Sequence, residues 1–217
     1  MAVRIVGVVG CTGTGKSCLS EELAKLLGAE VVEGDKCFLP AHQCPRLDLT
    51  HLWPDEGVPQ ALASKREDTN HPDALDWSKL EKEISAGRRA AEEQQRQAVI
   101  VDSFLLQCRD IVRRHLTDIV YLDDSNMLPG ELARRKWERS HLGKRSYKEK
   151  GVSFEEYKLY FNEYVYKRYL EFGRPSDLTD VIVLDCTKEP KQNALIALQR
   201  LEERAGMEGD NKGSLCT

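Results

Sequence analysis

The run Val3-Arg4-Ile5-Val6-Gly7-Val8-Val9-Gly10-Cys11-Thr12-Gly13-Thr14-Gly15-Lys16-Ser17 decides the fold. Residues 3–9 form a β-branched run broken only by Arg4 and Gly7, the composition of a strand buried on both faces of a parallel sheet. From Gly10 to Ser17 the chain fits G-x-x-x-x-G-K-S/T, and residues 16–27 then carry Leu19, Leu23, Leu26 and Leu27 at helical spacing before Gly28 stops them. In this context each residue type has a physical task. The glycines let backbone N–H groups face a phosphate, and the helix N-terminus adds positive potential. Lys16 is placed to neutralise β- and γ-phosphate oxygens, and Ser17 to offer its hydroxyl to Mg²⁺. A nucleoside triphosphate site is expected, with ATP and Mg²⁺ as cofactors.

Strand-length apolar runs alternate with helical periods along the rest of the chain. Strands are expected at 30–32, 98–101, 119–122 and 181–184. Helices are expected at 74–95, 108–116, 129–139, 154–172 and 191–204. Five strands alternating with helices predict an α/β fold, a three-layer P-loop NTPase with a five-stranded, mostly parallel sheet. Strand two is expected to adjoin the phosphate-loop strand. Residues 39–73 show no period and several prolines, an unusually long loop for a compact domain.

At 217 residues the chain has room for one full α/β domain, and 41% hydrophobic residues supply a core, which excludes wholesale disorder. A formal net charge of -4 excludes a chain-wide electrostatic nucleic-acid binder, so no nucleic-acid partner is expected. No run of 18 apolar residues exists, so a membrane partner is not expected either. The N-terminal residues lack the pattern of a secretory leader. Seven cysteines without any C-x-x-C point to reduced thiols and a cytoplasmic or nuclear location.

Two carboxylates stand out beside the loop. Asp102 ends an apolar strand, as the metal-side partner of a phosphate loop should. Asp35 follows strand two and reads either as a general base for an attacking hydroxyl or as a turn cap in Gly34-Asp35-Lys36. A guanine-reading N/T-K-x-D is missing, since Asn211-Lys212-Gly213-Ser214 and Thr187-Lys188-Glu189-Pro190 both lack the Asp. Residues 134–150 hold eight Lys/Arg and two Glu. They read as a solvated helix end, a mobile anion-binding segment, or a nucleic-acid patch with Trp137 and Tyr147 interleaved. The series Tyr157, Tyr160, Phe161, Tyr164 and Tyr169 has the spacing of a helix face packed on the sheet, with Tyr164 midway along it.

The segment Val32-Glu33-Gly34-Asp35-Lys36-Cys37-Phe38-Leu39-Pro40 resembles the one after strand two in nicotinamide riboside kinases, members of the uridine kinase-like group of P-loop kinases. Further segments agree in order: Asn70-His71-Pro72-Asp73-Ala74-Leu75-Asp76, Val99-Ile100-Val101-Asp102-Ser103-Phe104-Leu105-Leu106, Tyr160-Phe161 through Tyr169-Leu170, and Val183-Leu184-Asp185-Cys186-Thr187-Lys188. The resemblance implies one kinase domain over 1–204, with an acceptor-side loop at 39–73 and a basic lid at 134–150; residues 205–217, polar and glycine-containing, read as a disordered tail. It implies ATP-dependent transfer to the 5′-hydroxyl of a ribonucleoside, above all nicotinamide riboside.

Lys16 and Asp35 would be catalytic, with Arg134 and Arg139 of the lid acting on the transition state. Gly10, Thr12, Gly13, Thr14, Gly15, Lys16, Ser17 and Cys18 would hold the nucleotide, with Arg135, and with Thr187 near the adenine. Ser17 and Asp102 would hold the metal. Asp35, Phe38, Asp68, Thr69, Asn70, Asp73 and His141 would meet the small-molecule acceptor. Two departures bear on that acceptor. The family usually has an aromatic residue followed by Asp where this chain has Thr69-Asn70, which can neither stack on a base nor bring a negative charge to a diol; Asp68 and Asp73 lie near enough to take the ribose. His141 stands where an aromatic ring is expected. A uridine or cytidine kinase, a kinase of a non-nucleoside such as a sugar acid, and a non-catalytic nucleotide-binding regulator are the alternatives.

Overall fold

Strand β1 (Arg4–Gly10) is buried at every position after Arg4 and forms the middle of the sheet. The computed structural model describes residues 2–65, 67–128, 130–139 and 145–213, with 207–213 by their backbone only. Among these, helix α1 (Lys16–Leu27) leads to β2 (Glu30–Glu33), and α2 (Gln60–Ala63) and α3 (Trp77–Glu93) precede β3 (Ala98–Asp102). Then follow α4 (Asp110–Arg113), β4 (Asp118–Asp123), α5 (Glu131–Glu138), α6 (Phe154–Tyr160), β5 (Val181–Asp185) and α7 (Pro190–Gly213).

The strands pair in parallel in the order β2-β3-β1-β4-β5. The expectation that β2 adjoins the phosphate-loop strand is therefore corrected: β3 lies between them. The side chains explain the order. Strand β3 is buried at all its positions, whereas β2 begins and ends on exposed Glu30 and Glu33, which suits an edge. Register brings Val8, Asp102 and Glu33 level across three strands.

Each face of the sheet has its own core. Leu19, Leu23 and Ala24 of α1 and Ala194, Ala197 and Leu201 of α7 cover one face, against Val6, Val8, Ile100, Val120 and Ile182. Leu80 and Ile84 of α3, Ala133 of α5 and the tyrosine-rich segment cover the other, against Ile5, Val9, Val101 and Tyr121. Local signals set the helix starts. Asp76 caps α3 by accepting from Lys79 N at 2.9 Å. Ser153 and Glu156 cap α6 reciprocally.

Three elements differ from the pattern reading. The helix expected over 108–116 shrinks to α4, because the chain must hand over to β4, where Thr117 N donates to Ile5 O at 2.9 Å. The expected continuous helix over 154–172 is α-helical only to Tyr160 and then widens into π-helical turns at Phe161–Tyr166 and Tyr169–Gly173. Wider turns keep Tyr160, Phe161, Tyr164, Val165 and Tyr169 facing inward, where a 3.6-residue period would rotate some of them out. Helix α7 runs on past Arg204 to Gly213, over most of the stretch expected as a tail. No helix among the described residues is long and apolar enough to cross a membrane.

Candidate active site

At the C-terminal end of β1 the loop turns sharply into α1. Gly15, the N-cap of α1, sits at φ 96°, a left-handed conformation that costs a side-chain-bearing residue heavily. The Thr14 hydroxyl, itself buried, donates to Cys11 O at 2.7 Å and pins the loop shut from within. Cys11 is fully buried beneath it, and burial pushes its thiol far above the ordinary range. Lys16 Nζ lies over the loop and donates to Cys11 O at 3.1 Å.

Asp102 reaches the same point from β3. It is nearly buried, and burial raises its carboxyl; Lys16 and a hydrogen bond from Ser17 work in the opposite direction, while Asp35 and Glu33 add to the rise. Asp35 stands on a 3₁₀ turn, Gly34–Cys37, directly after β2. That turn is pressed against the end of β3. A Cβ added at Gly34 would come within 2.5 Å of Ser103 Cβ and 3.0 Å of Asp102 O, so only glycine lets the turn approach.

Loop, turn and strand open into a cavity of about 180 Å³. Of the expected site residues, Thr12, Gly13, Gly15, Lys16, Ser17, Cys18, Asp35, Phe38, Thr69, Asn70, Asp102 and Arg139 line it. The others lie elsewhere. Gly10 supports the loop from behind, packed on Leu122, and Thr14 is its internal pin. Arg134 and Arg135 are exposed and both bind Glu131, at 3.0 and 3.1 Å. Thr187 closes the turn after β5 on Asp185 Oδ1, with its hydroxyl at 2.7 Å. Asp73 pairs with Arg109 at 2.7 Å and faces a different cavity, with His71, Gln107 and Arg174. His141 lies outside the described residues.

Asp68 does not line the cavity, but it shapes it. Only 2% exposed, it accepts from the Tyr164 hydroxyl and from Asn70 N (3.1 Å), with Arg168 Nε 4.0 Å away. The carboxylate expected to take a ribose instead clasps the acceptor loop to the tyrosine segment. The long loop expected at 39–73 is thus tied down, helped by bridges from Phe38 to Leu75 and from Arg46 to Glu67.

The cavity also recruits Lys65, Phe104, Lys136, Tyr147, Tyr157 and Tyr160, which sequence reasoning did not assign to it. For Lys136 a signal existed: Lys136 and Arg139 are three apart and share a helix face, whereas Arg134 and Arg135 sit at the spacing that reaches Glu131. Burial, reinforced by the positive charges of Arg139, Lys16 and Lys65, pushes the Lys136 ammonium down to about 8, against a smaller pull from Asp35. Tyr157 and Tyr160 are core residues, as their spacing implied, yet they also form one wall. No local pattern marks Lys65, whose Nζ donates to Tyr160 OH at 3.2 Å.

The oxygen donors at the loop, Ser17 and Asp102 with Asp35 beside them, suit a hard cation such as Mg²⁺. Among the described residues no group of three or more His, Cys, Asp or Glu side chains could cage a metal alone.

Solved structures place the architecture. A gluconokinase from Sinorhizobium meliloti 1021 is 19% identical, with 95% of this chain and 97% of that one covered and a TM-score of 0.54. A sugar kinase from Janibacter sp. HTCC2649 is 18% identical, with 92% and 95% covered and a TM-score of 0.52. The chain has the fold of the P-loop kinases. No protein-family model matches it, and no curated protein matches its sequence at a significant level.

Proposed function

We propose that this protein is an ATP-dependent kinase of a small hydroxylated metabolite. The resemblance in sequence makes the 5′-hydroxyl of a nicotinamide riboside-like nucleoside the first acceptor to test. The observation that carries the reading is the convergence of Lys16, Asp35 and the Ser17–Asp102 pair on one cavity, reached from three separate elements.

In this reading the loop N–H groups and Lys16 bind the β- and γ-phosphates, and Lys136 and Arg139 close over them from α5 and its end. Arg134 and Arg135 join them when the lid closes and Glu131 releases them. Asp35 orients the acceptor hydroxyl and takes its proton as the oxygen bonds to the γ-phosphorus and the bond to the β,γ-bridging oxygen breaks, leaving ADP. Mg²⁺, held by Ser17 and Asp102, supplies charge neutralisation on the phosphates when bound. Closure by the lid excludes water, which limits wasteful hydrolysis.

The test is ADP release from ATP and Mg²⁺, with and without nicotinamide riboside, uridine, cytidine, polyols and sugar acids. Stimulation by one of them is expected, with Asp35→Ala lowering kcat by 10²-fold or more while ATP affinity holds. Slow hydrolysis indifferent to every acceptor would instead indicate a nucleotide-binding regulator. Near wild-type turnover by Asp35→Ala would remove Asp35 as the base.

A further inference from the structure

The cations in and around the cavity are not equivalent. Arg134, Arg135, Lys158, Lys167 and Arg168 all have carboxylate partners within 4.0 Å. Lys16, Lys65, Lys136 and Arg139, which face the cavity, have none among the described residues. Under the kinase reading, nucleotide phosphates account for Lys16 on the loop and for Lys136 and Arg139 on the lid. Lys65 belongs to neither element. It comes from the acceptor loop, beside Thr69 and Asn70.

Two observations mark the surroundings of Lys65 as built for an oxyanion. One of its three ammonium hydrogens goes to Tyr160 OH, and the rest of the head has no protein acceptor among the described residues. Asn70 Nδ2 is buried without a well-formed hydrogen bond, its amide resting by the same Tyr160 hydroxyl that Lys65 binds, although Asn70 N is held on Asp68. A buried amide donor without a full partner is costly, so it is retained where something else fills it. Asp68, a carboxylate of the same loop, is bound to the Tyr164 hydroxyl and does not line the cavity. An ammonium and an amide N–H₂ side by side offer donors for both oxygens of a planar carboxylate. A neutral diol would leave the ammonium without a counter-charge, and a cationic group would be repelled.

We propose that the acceptor bears a carboxylate, gripped by Lys65 and Asn70, which presents its hydroxyl to Asp35. This rests on the kinase reading above and narrows it to hydroxylated acids, whether a sugar acid or a nucleoside carrying a carboxylate on its base.

The test compares acceptors that differ in one carboxylate, nicotinate riboside against nicotinamide riboside and gluconate against sorbitol, by kcat/KM. Binding to the MgADP-loaded protein is followed in parallel by calorimetry. The acid should exceed its partner by about 10- to 100-fold, the worth of one charge-assisted hydrogen bond. Lys65→Met should collapse that ratio to within about threefold of one, Lys65→Arg should keep most of it, and Asn70→Asp should reverse it. Intact MgADP binding by each variant establishes that it has folded. Tighter binding of the acids without turnover would uphold the carboxylate site while removing the kinase reading. Preference for the uncharged or cationic partner, a ratio untouched by Lys65→Met, or failure of every acid to bind would overturn the proposal.

Discussion

Replacing Gly34 by alanine tests how the acceptor-side carboxylate is placed. The new methyl would lie 2.5 Å from Ser103 Cβ and 2.9 Å from Ser103 Oγ, with Asp102 O at 3.0 Å. Ordinary carbon–carbon contact is about 3.5–4.0 Å, so the turn must retreat from β3 by roughly 1 Å. Asp35 is the next residue and moves with it. Overpacking of this kind costs about 1–3 kcal/mol, which in a domain of this size lowers Tm by roughly 2–12 °C. A shift of about 1 Å in a reacting group costs on the order of 10²-fold in rate. Thermal unfolding and acceptor-stimulated ADP release, measured on the same preparation, separate the two effects. Ser103→Gly removes the nearest obstacle, so Gly34→Ala with Ser103→Gly should recover much of both losses. Gly34→Ala with the wild-type Tm and kcat would refute the argument that this contact sets the position of Asp35.

Two further outcomes follow from the site. Tyr164→Phe removes the hydroxyl that Asp68 accepts from, leaving a buried carboxylate short of a donor. It should cost about 1–3 kcal/mol in chemical denaturation and raise the acceptor KM more than it lowers kcat; unchanged stability would show that the clasp carries no energy. Lys136 titrates near 8 in the folded protein, well below its ordinary value of 10.5, so the unfolded chain binds the extra proton between those values. Its penalty on stability is full below about pH 8 and fades as pH rises toward 10.5. Bound phosphates favour the ammonium form, so MgATP should bind with proton uptake at pH 8 to 9. Calorimetry in buffers of different ionisation enthalpy should show that uptake in the wild type and lose it in Lys136→Met.

The phosphate loop, the parallel strands and Asp102 were legible because each rests on local pattern: a β-branched run, a glycine-lysine spacing, a carboxylate at a strand end. Strand order was not, since it depends on which strand can tolerate an exposed edge, a comparison between β2 and β3 rather than a property of either. The π-helical turns escaped because tyrosine spacing fits an α-helix nearly as well over the first turn. Asp68 and Asp73 look alike in sequence as acids flanking Thr69-Asn70, yet one is sealed against Tyr164 and the other paired outside with Arg109. Only tertiary contact distinguishes them. Lys65 was invisible for the same reason: its partner Tyr160 lies 95 residues away.

The clasp at Asp68 has a kinetic consequence. Asn70 hangs from Asp68, Asp68 from Tyr164, and the segment carrying Tyr164 continues α6, whose approach is fastened to α5 by Trp137 Nε1 on Val152 O at 2.8 Å. The groups proposed to grip the acceptor and those proposed to face the nucleotide are therefore strung along one mechanical line. Seating either substrate stiffens the footing of the other, so initial-rate patterns should show substrate synergism, with each Michaelis constant falling as its co-substrate saturates. Cutting the line at Tyr164 should return the two to independence.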